Sequence, residues 1–117
     1  MRALVTGSAG FVGHPLDAHL RTCGADVVTT DQVDGGPNLL DRSALERMVW
    51  KERPEVVFHL AAQPIVRTAY RNPMETIGSN VMGTASVLEA VRQVGTVSRV
   101  VVATSDKAYF DKGGDLY

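Results

Sequence analysis

The 117-residue chain has a single cysteine, Cys23, so no disulfide can close within it. No apolar run comes near the roughly 20 residues that a membrane-spanning helix needs. Twelve basic residues stand against thirteen acidic ones, a formal net charge of −1. That balance offers no field for nucleic acid or an anionic membrane surface. The opening Met1-Arg2-Ala3-Leu4-Val5 turns into Thr6-Gly7 after one short apolar stretch, without the longer apolar segment and cleavage site of a secretory signal. His14, His19 and Cys23 lack metal-ligand spacing. These absences predict a cytoplasmic protein that binds no nucleic acid, membrane or metal. The length suits one domain with one core.

Short apolar runs alternate with amphipathic stretches. Residues 3–5 predict a buried strand closed by Gly7. A helix pattern follows, with Phe11, Val12, Leu16, Leu20 and Cys23 on one side and Gly24 at its end. Residues 27–30 are all β-branched and predict a second strand. Asp34-Gly35-Gly36-Pro37 is a loop. Asp41 or Ser43 can cap a helix ending near Lys51, with Leu45, Met48 and Val49 inward. Residues 55–60 predict a third strand, with Val56, Val57 and Phe58 buried on both faces. Asn72-Pro73 opens a helix expected to run to Val94, its apolar residues being Ile77, Val81, Val87, Leu88 and Val91. Residues 99–103 form the fourth strand, and 111–117 a polar, flexible tail.

Continuous apolar strands alternating with helices imply an α/β fold whose parallel sheet is covered on both faces. Right-handed crossovers make it doubly wound, with four strands in the order 2-1-3-4. The switch point then lies between the first and third strands, and ligands bind there at the carboxyl ends.

Gly7-Ser8-Ala9-Gly10-Phe11-Val12-Gly13 sits directly between a strand and a helix. Gly7 permits the tight turn, Gly10 lets the backbone approach a diphosphate, and Gly13 lets the helix pack on the sheet. Bare amides and the helix dipole favour the phosphate charge. This is a Rossmann-type dinucleotide loop. Asp31, about 20 residues further on, can accept both hydroxyls of the adenosine ribose and would repel a 2′-phosphate, which favours NAD over NADP. A turn-forming aspartate is the plainer alternative. His59-Leu60-Ala61-Ala62-Gln63 ends the third strand with small residues, suited to a flat ligand or to tight packing. His59 itself reads as a core histidine, Trp50 as packing at a helix end, and Met74 and Met82 as core or surface filler. Thr104-Ser105-Asp106-Lys107 ends the fourth strand with a hydroxyl, an acid and an amine, which could move protons around a sugar or simply meet solvent.

With these pieces in order, the chain resembles the extended short-chain dehydrogenase/reductase family, the NAD-dependent epimerases and dehydratases. The pattern lies closest to the nucleotide-sugar 4,6-dehydratases, in particular the branch using CDP-glucose. The carrying segments are Thr6 through Gly13, Phe58-His-Leu-Ala-Ala-Gln-Pro-Ile-Val-Arg67, Tyr70 with Pro73, Asn80-Val-Met-Gly-Thr84, Val87-Leu-Glu-Ala90, and Thr104-Ser-Asp-Lys107 with Tyr109. The resemblance implies NAD as cofactor. It assigns Gly7, Gly10, Phe11 and Val12 to the diphosphate, Asp31 to the ribose, and Leu60, Ala61 and Ala62 to the nicotinamide side. Leu39 and Thr104 are further candidate cofactor contacts. Asn80 and Ser105 match members of the family's Asn-Ser-Tyr-Lys group. Asp106 and Lys107 match the acid and base for water elimination. The implied reaction removes hydride from the sugar C4, eliminates water across C5–C6 and returns hydride to C6.

Some features depart from the family. Its Tyr-x-x-x-Lys has no counterpart, since Tyr109 is followed by Asp111 and Lys112 and Tyr117 is the last residue. Asn38 stands where an aspartate touches the adenine, and the segment from Asp31 to Asn38 is short, as if one helix and one strand were lost. The expectation is an NAD-binding domain over 1–110, incomplete relative to the family and lacking its substrate domain. It would be part of a truncated or split dehydratase that meets a nucleotide sugar only when completed. The alternatives are a non-catalytic NAD-binding module, part of a nucleotide-sugar 4-epimerase, or a degenerate fold without ligand. An exposed fourth strand with three valines predicts self-association, and family members tend to dimerise through the helix expected over 73–94.

Overall fold

The computed structural model describes residues 1–105. Its strands are β1 (Arg2–Thr6), β2 (Asp26–Thr30), β3 (Val56–His59) and β4 (Arg99–Val102). All pair in parallel in the order β2-β1-β3-β4, as expected. The helices are α1 (Gly13–Thr22), α2 (Arg42–Glu52), α3 (Val66–Arg71), α4 (Pro73–Ile77) and α5 (Gly83–Val94).

The period of two along a strand divides the core. Leu4 and Val57 point to one face and pack with Leu45 and Val49 of α2 and Val87 and Ala90 of α5. Ala3, Val5 and Val27 point to the other face and pack with Leu20 of α1, flanked by Leu16 and Phe58. Both faces of the central strands are thus dry, which is why these strands read as unbroken apolar runs. Asp41 caps α2 by accepting the Ala44 amide at 3.0 Å, and Asn72 caps α4 by accepting the Glu75 amide. Arg42 bonds Glu46 on its own helix at 2.7 Å and reaches Glu89 at 3.2 Å, tying α2 to α5.

Several expectations need correction. Phe11 and Val12 do not belong to the inward side of a helix: they precede α1, and Phe11 is 97% exposed. Cys23 is exposed at the helix end. The run over 73–94 is not one α-helix, because a π-helical turn, Gly78–Met82, separates α4 from α5. The wide turn shifts the phase of the 3.6-residue period, so Ile77 and Val81 fall away from the core and are exposed, and Leu88 on α5 is exposed as well. The short helix α3 was not expected; it buries no residue and so carries no apolar stripe. Trp50 is exposed with Arg53 stacked over its ring, and Met74 and Met82 are surface residues. Among the described residues β4 pairs on one side only, and Val101 on it is half exposed. The expected tail over 111–117 lies outside the described residues.

Candidate functional site

A cleft of about 1730 Å³ opens at the carboxyl ends of β1, β3 and β4. Its lining takes in Gly7, Gly10, Phe11, Val12, Asp31, Leu39, Leu60, Ala61, Ala62, Asn80, Thr104 and Ser105. Residues from Gly7 to Ser105 therefore converge on one place. Asp106 and Lys107 lie outside the described residues.

The glycine loop forms the base of the cleft. Gly7 has φ +71°, and a Cβ there would lie 2.6 Å from the Ala61 amide nitrogen. A Cβ on Gly13 would lie 2.1 Å from the Gly7 carbonyl oxygen. Both positions are closed to any side chain by backbone. Gly10 differs: its Cβ would meet only the Gly7 oxygen, at 3.2 Å. The three glycines thus serve a turn, a helix packed against the turn, and an open approach.

The loop's polar groups suit an anionic ligand. No side chain caps α1, in contrast to α2 and α4. The amides of Phe11 and Val12 carry no partner among the described residues. The buried hydroxyls of Ser8 and Thr30 are also unpartnered among them. Asp31 accepts the Ala9 amide through Oδ2 at 3.3 Å and the Val33 amide through Oδ1 at 3.2 Å. It therefore makes a turn and also holds its carboxylate against the glycine loop. A helix start with free amides fits a diphosphate, and the carboxylate beside it fits a ribose.

The small residues after β3 do serve packing, since Leu60 and Ala61 lie against Gly7. Leu39 packs against the core and opposite Gly83, so it reaches the cleft as part of the wall. Asn38 uses its side-chain oxygen to accept the Leu40 amide at 2.9 Å. Asn80 lies in the π turn. Its side-chain oxygen accepts the Gln63 amide at 2.7 Å, and its NH2 donates to the Gln63 carbonyl at 3.0 Å. The amide group thereby clamps the loop after β3. Gln63 in turn donates to Thr76 at 2.9 Å.

His59 is buried, and burial lowers its pKa. Its Nδ1 lies 2.7 Å from Thr6 Oγ1 and its Nε2 lies 2.9 Å from Thr84 Oγ1. The core histidine expected from sequence is thus polar on both sides. Sequence reading carried Thr6, Gln63 and Thr84 only as parts of motif segments, without a pairing role, and missed Thr76. One signal was present: Gly78 and Gly83 bracket the turn five residues apart, with Thr84 four residues after Asn80.

Among known proteins, residues 3–115 match the NAD dependent epimerase/dehydratase family. The chain belongs to that family, whose cofactor is NAD. CDP-glucose 4,6-dehydratase of Salmonella typhimurium is 39% identical, over 92% of this chain and 35% of its own. The crystal structure of UDP-glucose 4-epimerase from Thermotoga maritima with UDP-glucose superposes with a TM-score of 0.89 at 28% identity, covering 100% of this chain and 42% of that one. The Thermus thermophilus UDP-glucose 4-epimerase complex with NAD has a TM-score of 0.76 at 34% identity, covering 82% and 35%. The chain therefore spans well under half the length of these relatives. The sheet order and this likeness make the fold a Rossmann fold. Among the described residues no helix is long and apolar enough to cross a membrane.

Proposed function

We propose that this chain forms the NAD-binding part of a nucleotide-sugar 4,6-dehydratase, with residues 1–110 as its cofactor domain and the cytoplasm as its location. The observation that carries the reading is the glycine loop, where the Phe11 and Val12 amides have no partner among the described residues and the Asp31 carboxylate accepts the Ala9 amide of the same loop. In this reading the diphosphate lies over Gly7, Gly10, Phe11 and Val12. Asp31 takes the adenosine ribose. Leu39 flanks the adenosine side, while Leu60, Ala61, Ala62 and Thr104 line the nicotinamide side. NAD, when bound, supplies a reversible acceptor for a sugar hydride. Ser105 would hydrogen-bond the sugar, and Asp106 and Lys107 would donate and accept the protons of water loss. The dehydratase reading draws on the 39% identity to the Salmonella enzyme.

A 4-epimerase is the second reading, favoured by the 0.89 TM-score of the Thermotoga enzyme. Either way the substrate would be a nucleotide sugar, read largely by parts of the relatives that this chain does not span. A non-catalytic NAD module would keep the cofactor site alone. Self-association through β4 or α5 belongs to the same proposal.

Calorimetric titration of the chain with NAD and NADP tests the cofactor site. Asp31 should make NAD the tighter ligand, and Asp31→Asn should narrow the gap. Tighter NADP binding, or no binding of either, would defeat the proposal.

A further inference from the structure

We propose that His59, neutral and with its ring proton on Nε2, is a positioning residue that fixes the spacing between the two walls of the cleft. The inference rests on the NAD-binding reading above. One wall is the β1–β3 edge, with Thr6, Gly7 and Ala61. The other is the π turn with Asn80, followed by Thr84 at the start of α5. All of these residues line the cleft.

The proton placement follows from counting donors. The Ala61 amide can only donate, and it donates to Thr6 Oγ1 at 3.4 Å. The Thr6 hydroxyl proton is then free to go to His59 Nδ1, 2.7 Å away. At the other end, Thr84 Oγ1 donates to the Asn80 carbonyl at 2.7 Å. Its oxygen is left to accept from His59 Nε2, 2.9 Å away. One direction satisfies every group: Ala61 N–H to Thr6, Thr6 to His59, His59 to Thr84, Thr84 to the Asn80 carbonyl. In the opposite tautomer Nδ1–H would donate to Thr6 Oγ1, and the Thr6 hydroxyl proton, turned away from the ring, would find no acceptor among the described residues at a position 1% exposed. Burial, which disfavours the charged ring, acts in the same direction.

The tie joins the walls through the last residue of β3, while the Asn80–Gln63 pair joins them through the loop that follows β3. Cutting that tie leaves the Asn80–Gln63 pair as the hydrogen-bonded link between the π turn and the loop after β3. The Ala61 backbone, which meets Gly7 without room for a Cβ, then loses its reference on α5.

Three measurements on the full chain test this. Long-range heteronuclear NMR of the histidine ring nitrogens reads the His59 tautomer directly in the wild type and needs no variant. Thr84→Val removes the hydroxyl while keeping volume. It should shift the Ala61 and Asn80 amide resonances of the cofactor-free chain and weaken NAD by about two- to tenfold, the worth of one hydrogen bond. Thr84→Ser returns the hydroxyl and should restore wild-type affinity. A proton on Nδ1, unshifted Ala61 and Asn80 amides in Thr84→Val, unchanged NAD affinity in that variant, or no rescue by serine would each overturn the proposal. If the wild type binds no NAD, the cofactor reading fails, and the tie is then decided by the tautomer and the amide shifts alone.

Discussion

Gly10→Ala separates what the fold needs from what the ligand needs. A Cβ at Gly7 or Gly13 runs into backbone at 2.6 and 2.1 Å, so neither position can be changed without breaking the turn itself. At Gly10 the only neighbour is the Gly7 oxygen at 3.2 Å, which a shift of a few tenths of an ångström relieves. Alanine also narrows the unfolded ensemble, a gain of about 0.4–1 kcal/mol. The two effects oppose, and the melting temperature should stay close to that of the wild type, within about 1 kcal/mol of stability. The methyl group nevertheless stands where a diphosphate must approach the loop amides. Losing one charge-assisted hydrogen bond of about 1.5–3 kcal/mol weakens NAD by about ten- to a hundredfold. Calorimetric titration with NAD, run beside a thermal melt, reads both quantities. Gly13→Ala is the contrasting variant and should lower the melting temperature with no ligand present. A Gly10→Ala chain that melts and binds NAD as the wild type does would refute the placement of the diphosphate.

Two further outcomes concern the scaffold. The Arg92 hydrogen bond, then that of Gln93, holds the Glu89 carboxyl at about 2, well below the usual carboxylate range. A depressed carboxylate stabilises the fold above its unfolded pKa and loses that contribution as pH falls through the folded value. Glu89→Gln should therefore melt below the wild type at neutral pH, with the difference vanishing towards pH 2; a constant difference across that range would contradict the linkage. Leu45 is fully buried between α2 and the sheet. Leu45→Ala should cost about 2–5 kcal/mol in urea denaturation, and a loss well under that would mean the site collapses around the smaller side chain.

The sheet was legible because its signal is local. Val27, Val56 and Val57 are buried and Val28 half-buried, so both strands show short apolar runs, and Gly24 and Gly95 mark helix ends by their left-handed geometry. The glycine loop was legible for a related reason: spacing between a strand and a helix fixes which glycine meets backbone and which stays open. Phe11 was misplaced because an apolar residue beside a helix start looks the same whether it faces a core or an open cleft.

What the amino-acid order determined by itself was the four strands, their parallel arrangement and the residues gathered at one sheet edge, but neither α3 nor the π turn. What only the tertiary structure decided was how the polar groups pair across elements. The bonds from Thr6 to His59 and from His59 to Thr84 span 53 and 25 residues. No periodicity encodes such separations. They exist because β1, β3 and α5 are brought within hydrogen-bond reach when the core closes, and the π turn alters the phase along 73–94 that brings Asn80 and Thr84 to them.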